Sequence, residues 1–147
     1  MIIGIDLATH NCGLCFLDDM PTFTTVGLKS KVTPTEDAIF KYADSLALLV
    51  KNKKIYVDFS WQEIFLPGRR SIASIKYFLA GAIYNSAGQC SFISPKQVRD
   101  FFNLPPKTKK EELHKLILQI YPENLSRNEH ELDALILAHI GKYDIQW

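Results

Sequence analysis

The 147-residue chain has little cysteine, almost no net charge and no long apolar run, and each shortage excludes a class of protein. Its three cysteines, Cys12, Cys15 and Cys90, make an odd count, so no disulfide framework is expected and a reducing compartment suits the chain. A net charge of +1 creates no global field that would announce a nucleic-acid partner, so any such signal must be local. No apolar run approaches the roughly 18 residues of a membrane span. The opening "MIIGID" has no basic n-region, so the expectation is a cytoplasmic protein with no membrane partner. Internal repeats, low-complexity tracts and linkers are lacking too. What is present is ordinary for a globular protein, 47% apolar and 22% charged, and long enough for one domain over residues 1–147 with a substantial core.

Hydrophobic periodicity divides the chain. "MIIGIDLA", "CGLCFLD" and "FTTVGL" read as strands separated by turn chemistry at "THN" and "DDMP". "TPTEDAIFKYADSLALLVKNKK" reads as a helix with a capping box of Thr33 and Glu36, Pro34 in first position, and a stripe of Ile39, Tyr42, Ala43, Leu46, Leu49 and Val50. "IYVDFSW" reads as a buried strand and "LPGRR" as a loop. "SIASIKYFLAGAIYNSAG" is a helix whose Tyr77, Phe78 and Tyr84 extend its apolar surface beyond what one core needs, which marks a dimerisation face. After the short strand "CSFI", "SPKQVRDFF" opens a helix with Ser94 as cap, Pro95 first and Gln97 third. "TKKEELHKLILQIY" repeats the capping-box spacing with Thr108 and Glu111, its stripe being Leu113, Leu116, Ile117 and Ile120. A meander of strands followed by alternating strands and helices predicts an α/β fold, a mixed five-stranded sheet flanked by helices.

The last helix holds the most informative charges. In "RNEHELDALILAHIG", Asn128 caps the helix and Glu131 completes a capping box, while Glu129 and Glu131 suit the positive end of the helix dipole. Asp133 lies in the second turn among Leu132, Ala134, Leu135, Ile136 and Leu137, which leave no wide polar face. A carboxylate there must be paired or bound to a metal. His130, three residues earlier, shares its helical face. Asp6 stands in "IIGID", a strand otherwise free of polar side chains, where capping of the next turn is the plain structural reading. A strand acid and a distant helix acid brought together are also what a divalent-cation site requires. The central strand "IYVDFSWQEIF" supplies a third acid, either Asp58 or Glu63. Asp58 lies as far into its strand as Asp6 into the first, so parallel neighbours would set them level.

"CGLC" has redox or zinc spacing, yet residues three apart in a strand face opposite ways, so core cysteines are expected. Among the basic residues, Arg69 and Arg70 follow the acidic strand, and Arg99, Lys107, Lys109 and Lys110 flank two helix starts. Solvated charge is the ordinary explanation. Lys109 and Lys110, however, oppose the dipole in a first turn, and free N–H groups with two lysines suit a phosphate.

Together these motifs resemble the RuvC family of Holliday-junction resolvases, in its small phage and bacterial form, over most of the chain. "IIGIDLATHNCGLCFLD" is similar to the family's first hairpin, with Asp6 at its first metal-binding aspartate, although Leu7-Ala8 stand where Pro-Gly is frequent. "SPKQVRDFFNLPPKTKKEELHKLI" resembles its basic helix–loop–helix stretch, with Arg99 and Lys110 at two basic positions important for cleavage. "HELDALILA" resembles its last acidic helix, with His130 and Asp133 at the last two catalytic positions. Counted from the preceding helix, the family's strand-end acid falls on Asp58; counted back from Gly81, it falls at Gln62 or Glu63. Asp58 is favoured because "IYV" is too β-like for an upstream loop.

The resemblance implies a ribonuclease H-like fold, a homodimer, and cleavage of branched DNA dependent on Mg²⁺ or Mn²⁺, two per site, leaving 5′-phosphate and 3′-hydroxyl ends. On that reading the chain is a crossover junction endodeoxyribonuclease with Asp6, Asp58 or Glu63, His130 and Asp133 as metal ligands. Lys110 would neutralise the scissile phosphate, while Arg69, Arg70, Arg99, Lys107 and Lys109 follow the DNA backbone. An imidazole ligand suits Mn²⁺ better than Mg²⁺. Three rivals stand beside it: an RNA-processing nuclease of the same superfamily, a catalytically inactive junction binder, and half of an actin-like ATPase, whose phosphate hairpin "GIDLATHNCG" also resembles.

Overall fold

Local signals account for most elements. The computed structural model describes residues 1–28, 34–59, 67–68 and 70–143, apart from the side chains of Arg70 and Ile72. Three strands, β1 (Ile2–Asp6), β2 (Asn11–Leu17) and β3 (Pro21–Gly27), lead into α1 (Glu36–Val50), β4 (Lys54–Asp58), α2 (Arg70–Ser86) and β5 (Gln89–Ile93). Then follow α3 (Pro95–Phe101), α4 (Lys110–Ile120), a 3₁₀ turn at Pro122–Asn124 and α5 (Glu129–Tyr143). The strands form one mixed sheet in the order β3-β2-β1-β4-β5. The meander pairs antiparallel, and β1–β4 and β4–β5 pair parallel, as the alternation of strands and helices predicts. Among the described residues no helix is long and apolar enough to cross a membrane.

Two caps match their sequence signatures and two do not. Ser94 and Gln97 exchange side-chain and backbone bonds at the start of α3, and Asn128 and Glu131 do the same before α5. At α1 the expected Thr33–Glu36 box is displaced: the helix begins at Glu36, and Thr35 Oγ1 accepts from Ala38 N at 3.2 Å. Thr33 itself lies outside the described residues. At α4 the expected Thr108–Glu111 box is absent because Thr108 is buried and its hydroxyl donates to Pro105 O at 2.7 Å. The cap position passes to Lys109, whose side chain makes no capping bond, so α4 starts with Lys109 and Lys110 beside N–H groups that no side chain caps, followed by Glu111 and Glu112 in the first turn.

Strand alternation splits the core between the two faces of the sheet. Ile3, Ile5, Ile55 and Val57 pack with Leu46 of α1 and Ile83 of α2. Tyr56 packs on the other face with Ile117 of α4 and Leu135 of α5. The cysteines divide the same way, Cys12 toward α1 and Cys15 toward α5, both fully buried and held as thiols by that burial. Helix α5 is buried from Leu132 through Gly141, as its apolar circumference predicts. It lies directly on the meander because glycine is under it: a Cβ on Gly4 would meet Ala134 O at 2.1 Å, and one on Gly13 would meet His130 O at 2.7 Å.

Candidate functional site

The parallel pairing of β1 with β4 runs Ile2↔Lys54 to Ile5↔Val57. One residue further, this register sets Asp6 and Asp58 level at the carboxyl ends of adjacent central strands. Crevices in open α/β sheets form at such ends. Both residues alternate onto the α5 face, because Gly4 and Tyr56, two positions earlier, face α5. Asp6 is 7% exposed. Asp58 is half-buried, and its carboxyl is pushed up to about 7, first by burial, then by the negative charge of Asp6 and more weakly by that of Asp133. Two neighbouring carboxylates in a dry site cannot both ionise cheaply.

The start of α5 brings two further groups, which take different partners. His130 is seated over Gly13, and Gly13 pairs across the hairpin with Asp6, so the imidazole falls on that carboxylate. His130 Nδ1 donates to Asp6 Oδ2 at 2.6 Å while the ring stays mostly exposed. Asp133, instead of meeting His130, faces α4. His114 Nε2 donates to its Oδ1 at 2.7 Å, and Lys110 Nζ lies 2.7 Å from its Oδ2. Burial works against the Lys110 charge, but Asp133, Asp6 and Asp58 outweigh it and raise its pKa.

His114 is the site residue that sequence reading missed. It is 9% exposed and sits within the apolar stripe of α4 beside Leu113 and Ile117. Its signal was the spacing Lys110-x-x-x-His114, which places both side chains one above the other on a single helical face.

Asp58, Arg99, Lys110 and Asp133 line one cavity of about 230 Å³, walled by apolar side chains including Ile93, Val98 and Leu137. Arg99 is partly committed: its Nε donates to Thr108 O and its Nη1 to Pro95 O, both at 2.9 Å, clamping the α3–α4 connection. Lys107 and Lys109 are exposed beside it. Glu63 and Arg69 lie outside the described residues, as does the Arg70 side chain.

Among the described residues no three His, Cys, Asp or Glu side chains stand ready as a metal cage. The carboxylates are engaged elsewhere, Asp6 with His130 and Asp133 with His114 and Lys110. The donor set nevertheless suits a hard divalent cation. Asp133 Oδ2 is buried, and among the described residues it is met by the half-exposed ammonium of Lys110. Asp58 is lifted first by burial and then by the charge of Asp6, and a bound cation relieves that second effect.

Comparisons give the fold a name. The structure is similar to that of Thermus thermophilus RuvC in complex with a Holliday junction substrate, with a TM-score of 0.71 and 18% identity over 93% of this chain and 88% of that one. It is similar also to a second Thermus thermophilus RuvC structure, with a TM-score of 0.65 and 18% identity over 93% and 90% of the two chains. No protein-family model and no curated protein sequence matches the chain. The five-stranded mixed sheet flanked by five helices is a ribonuclease H-like α/β fold.

Proposed function

We propose that this chain is a metal-dependent, structure-selective endonuclease that cuts branched DNA by phosphodiester hydrolysis. The observation that carries the reading is the meeting of Asp6, Asp58 and Asp133, from β1, β4 and α5, at one end of a ribonuclease H-like sheet beside Lys110. A similar fold holds a Holliday junction in the Thermus protein. Asp6, Asp58, Asp133 and His130 would hold two Mg²⁺ or Mn²⁺ ions, with Glu63 as the alternative to Asp58. Such ions, when bound, activate water and offset the charge that builds on a phosphodiester. The chain's own part is to hold these oxygens at the rim of a largely apolar cavity, with the Lys110 ammonium available to the scissile phosphate. Lys107 and Lys109 at the uncapped start of α4, with Arg69, Arg70 and Arg99, contact the DNA backbone. Arg99 spends two of its five N–H groups on carbonyls, which fixes the guanidinium at the cavity edge.

Cutting opposed strands takes two sites, which a twofold homodimer supplies. Support comes from α1 and α2, whose outer faces expose Phe40, Leu48, Phe78 and Tyr84, with Phe40 and Phe78 in edge-to-face contact at 5.5 Å. Tyr77 is used within the chain, against Phe59. Among the described residues nothing lies within 4 Å of where a Cβ on Gly81 would stand, which leaves room for a second helix to approach. Light scattering at micromolar concentration should report a dimer, and a monomer with junction bound would remove this element.

The deciding experiment is cleavage of a labelled four-way junction beside linear duplex, with Mg²⁺, Mn²⁺ or EDTA. Paired nicks in the junction alone, requiring a divalent ion and stronger with Mn²⁺, are expected. Junction binding without cleavage in either metal would make the chain an inactive binder. Preferential competition by structured RNA would move it to the RNA-processing branch.

A further inference from the structure

The two partners of Asp133 come from successive turns of α4 but differ in kind. His114 is 9% exposed, packed beside Leu113 and Ile117, and makes an aligned bond to Oδ1. Lys110 keeps 56% of its side chain exposed, and its ammonium, at the cavity rim, pairs with Oδ2 at 2.7 Å. One contact is enclosed and directional; the other is a point charge on a flexible stem at the cavity rim. Oδ2 belongs to a carboxylate that lines this cavity together with Asp58. Among the described residues, a cation entering the cavity and seeking Asp133 therefore meets Oδ2 guarded by Lys110 alone, while Oδ1 stays anchored.

We propose that His114 is the positioning residue of Asp133 and that Lys110 is its exchangeable counter-ion, displaced from Oδ2 when a divalent cation binds. This rests on the metal-dependent reading above and adds a coupling to it. Before the ion arrives, the ammonium offsets the buried carboxylate. After it arrives, the same ammonium is released toward the cavity, where Arg99 already stands, and becomes available to an anionic phosphate. Ion binding and phosphate binding are thereby linked through one side chain, and each favours the other. His114, enclosed and aligned, keeps the carboxylate from rotating as the exchange occurs.

The two neighbours of one carboxylate should then act on ion affinity with opposite signs. The test is calorimetric titration of the full chain, without DNA, with Mn²⁺ and separately with Mg²⁺. Lys110→Gln should tighten ion binding on the order of fivefold, the weight of a unit charge a few ångströms away in a water-like dielectric. His114→Leu should weaken it by roughly 10- to 100-fold, the usual effect of removing a group that orients a metal ligand. His114→Gln keeps an N–H donor and should stay close to wild type. The Lys110 ε-methylene resonance should shift on adding Mg²⁺ to the wild type. Unchanged or weakened binding in Lys110→Gln, or a Lys110 resonance indifferent to Mg²⁺, overturns the exchange. Equal weakening in His114→Leu and His114→Gln overturns the positioning role. If His114→Leu does not fold, the Lys110→Gln and His114→Gln arms still decide. A wild type that binds neither ion removes the metal-dependent reading itself, a result distinct from the others.

Discussion

Helix α5 carries two buried polar side chains, Asp133 near its start and His139 near its end, equally shielded from water at 9% exposure but in opposite settings. His139 is enclosed by rings. Phe102 stacks on it at 6.0 Å, Phe101, Tyr121 and Tyr143 surround it, and the Tyr121 hydroxyl meets Nδ1 at 2.9 Å. Among the described residues its contacts are these rings and that hydroxyl, with no carboxylate between them. Asp133 lines a cavity with Asp58, is held by His114 and Lys110, and stands near two other carboxylates, of which Asp58 is driven upward by burial and then by the charge of Asp6. Burial alone therefore does not mark a functional group. Carboxylates gathered at an open cavity are the more telling sign, because a cation can relieve their mutual repulsion, whereas packed rings offer it no such role.

The contrast breaks most sharply under mutation of the acids. Asp133→Asn and Asp6→Asn should each lower junction cleavage by about 1,000-fold or more, the upper end of what losing one electrostatic stabiliser costs elsewhere. Junction binding should persist, measured by gel shift on the same preparations. His139→Phe, by contrast, should leave cleavage within about threefold of wild type, since ring packing is retained.

A mutation beneath α5 should damage both ends together. Gly4 lies under Ala134 and Ala138, which adjoin Asp133 and His139, and backbone blocks the space a side chain would need. Gly4→Val should destabilise the fold by about 3 kcal/mol or more, at or beyond the usual range for overpacking. Urea unfolding measures this, and cleavage should fall with it. A stable, active Gly4→Val protein would mean that α5 is not seated as described.

Acid and base should pull the two ends in opposite directions. Burial, aided by Lys142, lowers the His139 pKa, so below 6.5 the unfolded chain takes up a proton that the folded one resists. The stability tied to that ring is present above 6.5 and is lost as pH falls. Asp58 behaves in reverse: unfolded it titrates near 3.8 and folded near about 7, so the folded state is favoured at low pH and loses stability as pH climbs between those values. Each slope is bounded by about 1.4 kcal/mol per pH unit for one proton. Thermal unfolding in EDTA should show His139→Phe more acid-stable and Asp58→Asn more stable near neutrality. Identical pH profiles in both variants would refute the assignments.

The smallest effect sharpens the closed site. Tyr121→Phe removes the hydroxyl from His139 Nδ1 and should cost about 1 kcal/mol, a typical net value for one hydrogen bond. Cleavage should not change. A loss of activity there would connect the aromatic enclosure to the Asp133 end of the helix.

Much of this was legible in the chain itself, where the forces are local. Periodicity placed the strands and helices, the Ser94–Gln97 and Asn128–Glu131 boxes formed as their spacing predicts, and the opposed cysteines followed from the pleat. The levelling of Asp6 with Asp58 followed from equal depth in two strands that pair in parallel. Competing partners undid the other two caps, since Thr35 reached Ala38 N and Thr108 was drawn inward to Pro105. The pairing of site residues belonged to tertiary structure. Shared helical spacing put His130 and Asp133 on one face, yet docking through Gly4 and Gly13 turned His130 to Asp6 and Asp133 to His114 and Lys110. Spacing along one helix determines which side chains lie together. Only the seating of that helix against its neighbours determines what they meet, because that depends on how closely two backbones approach.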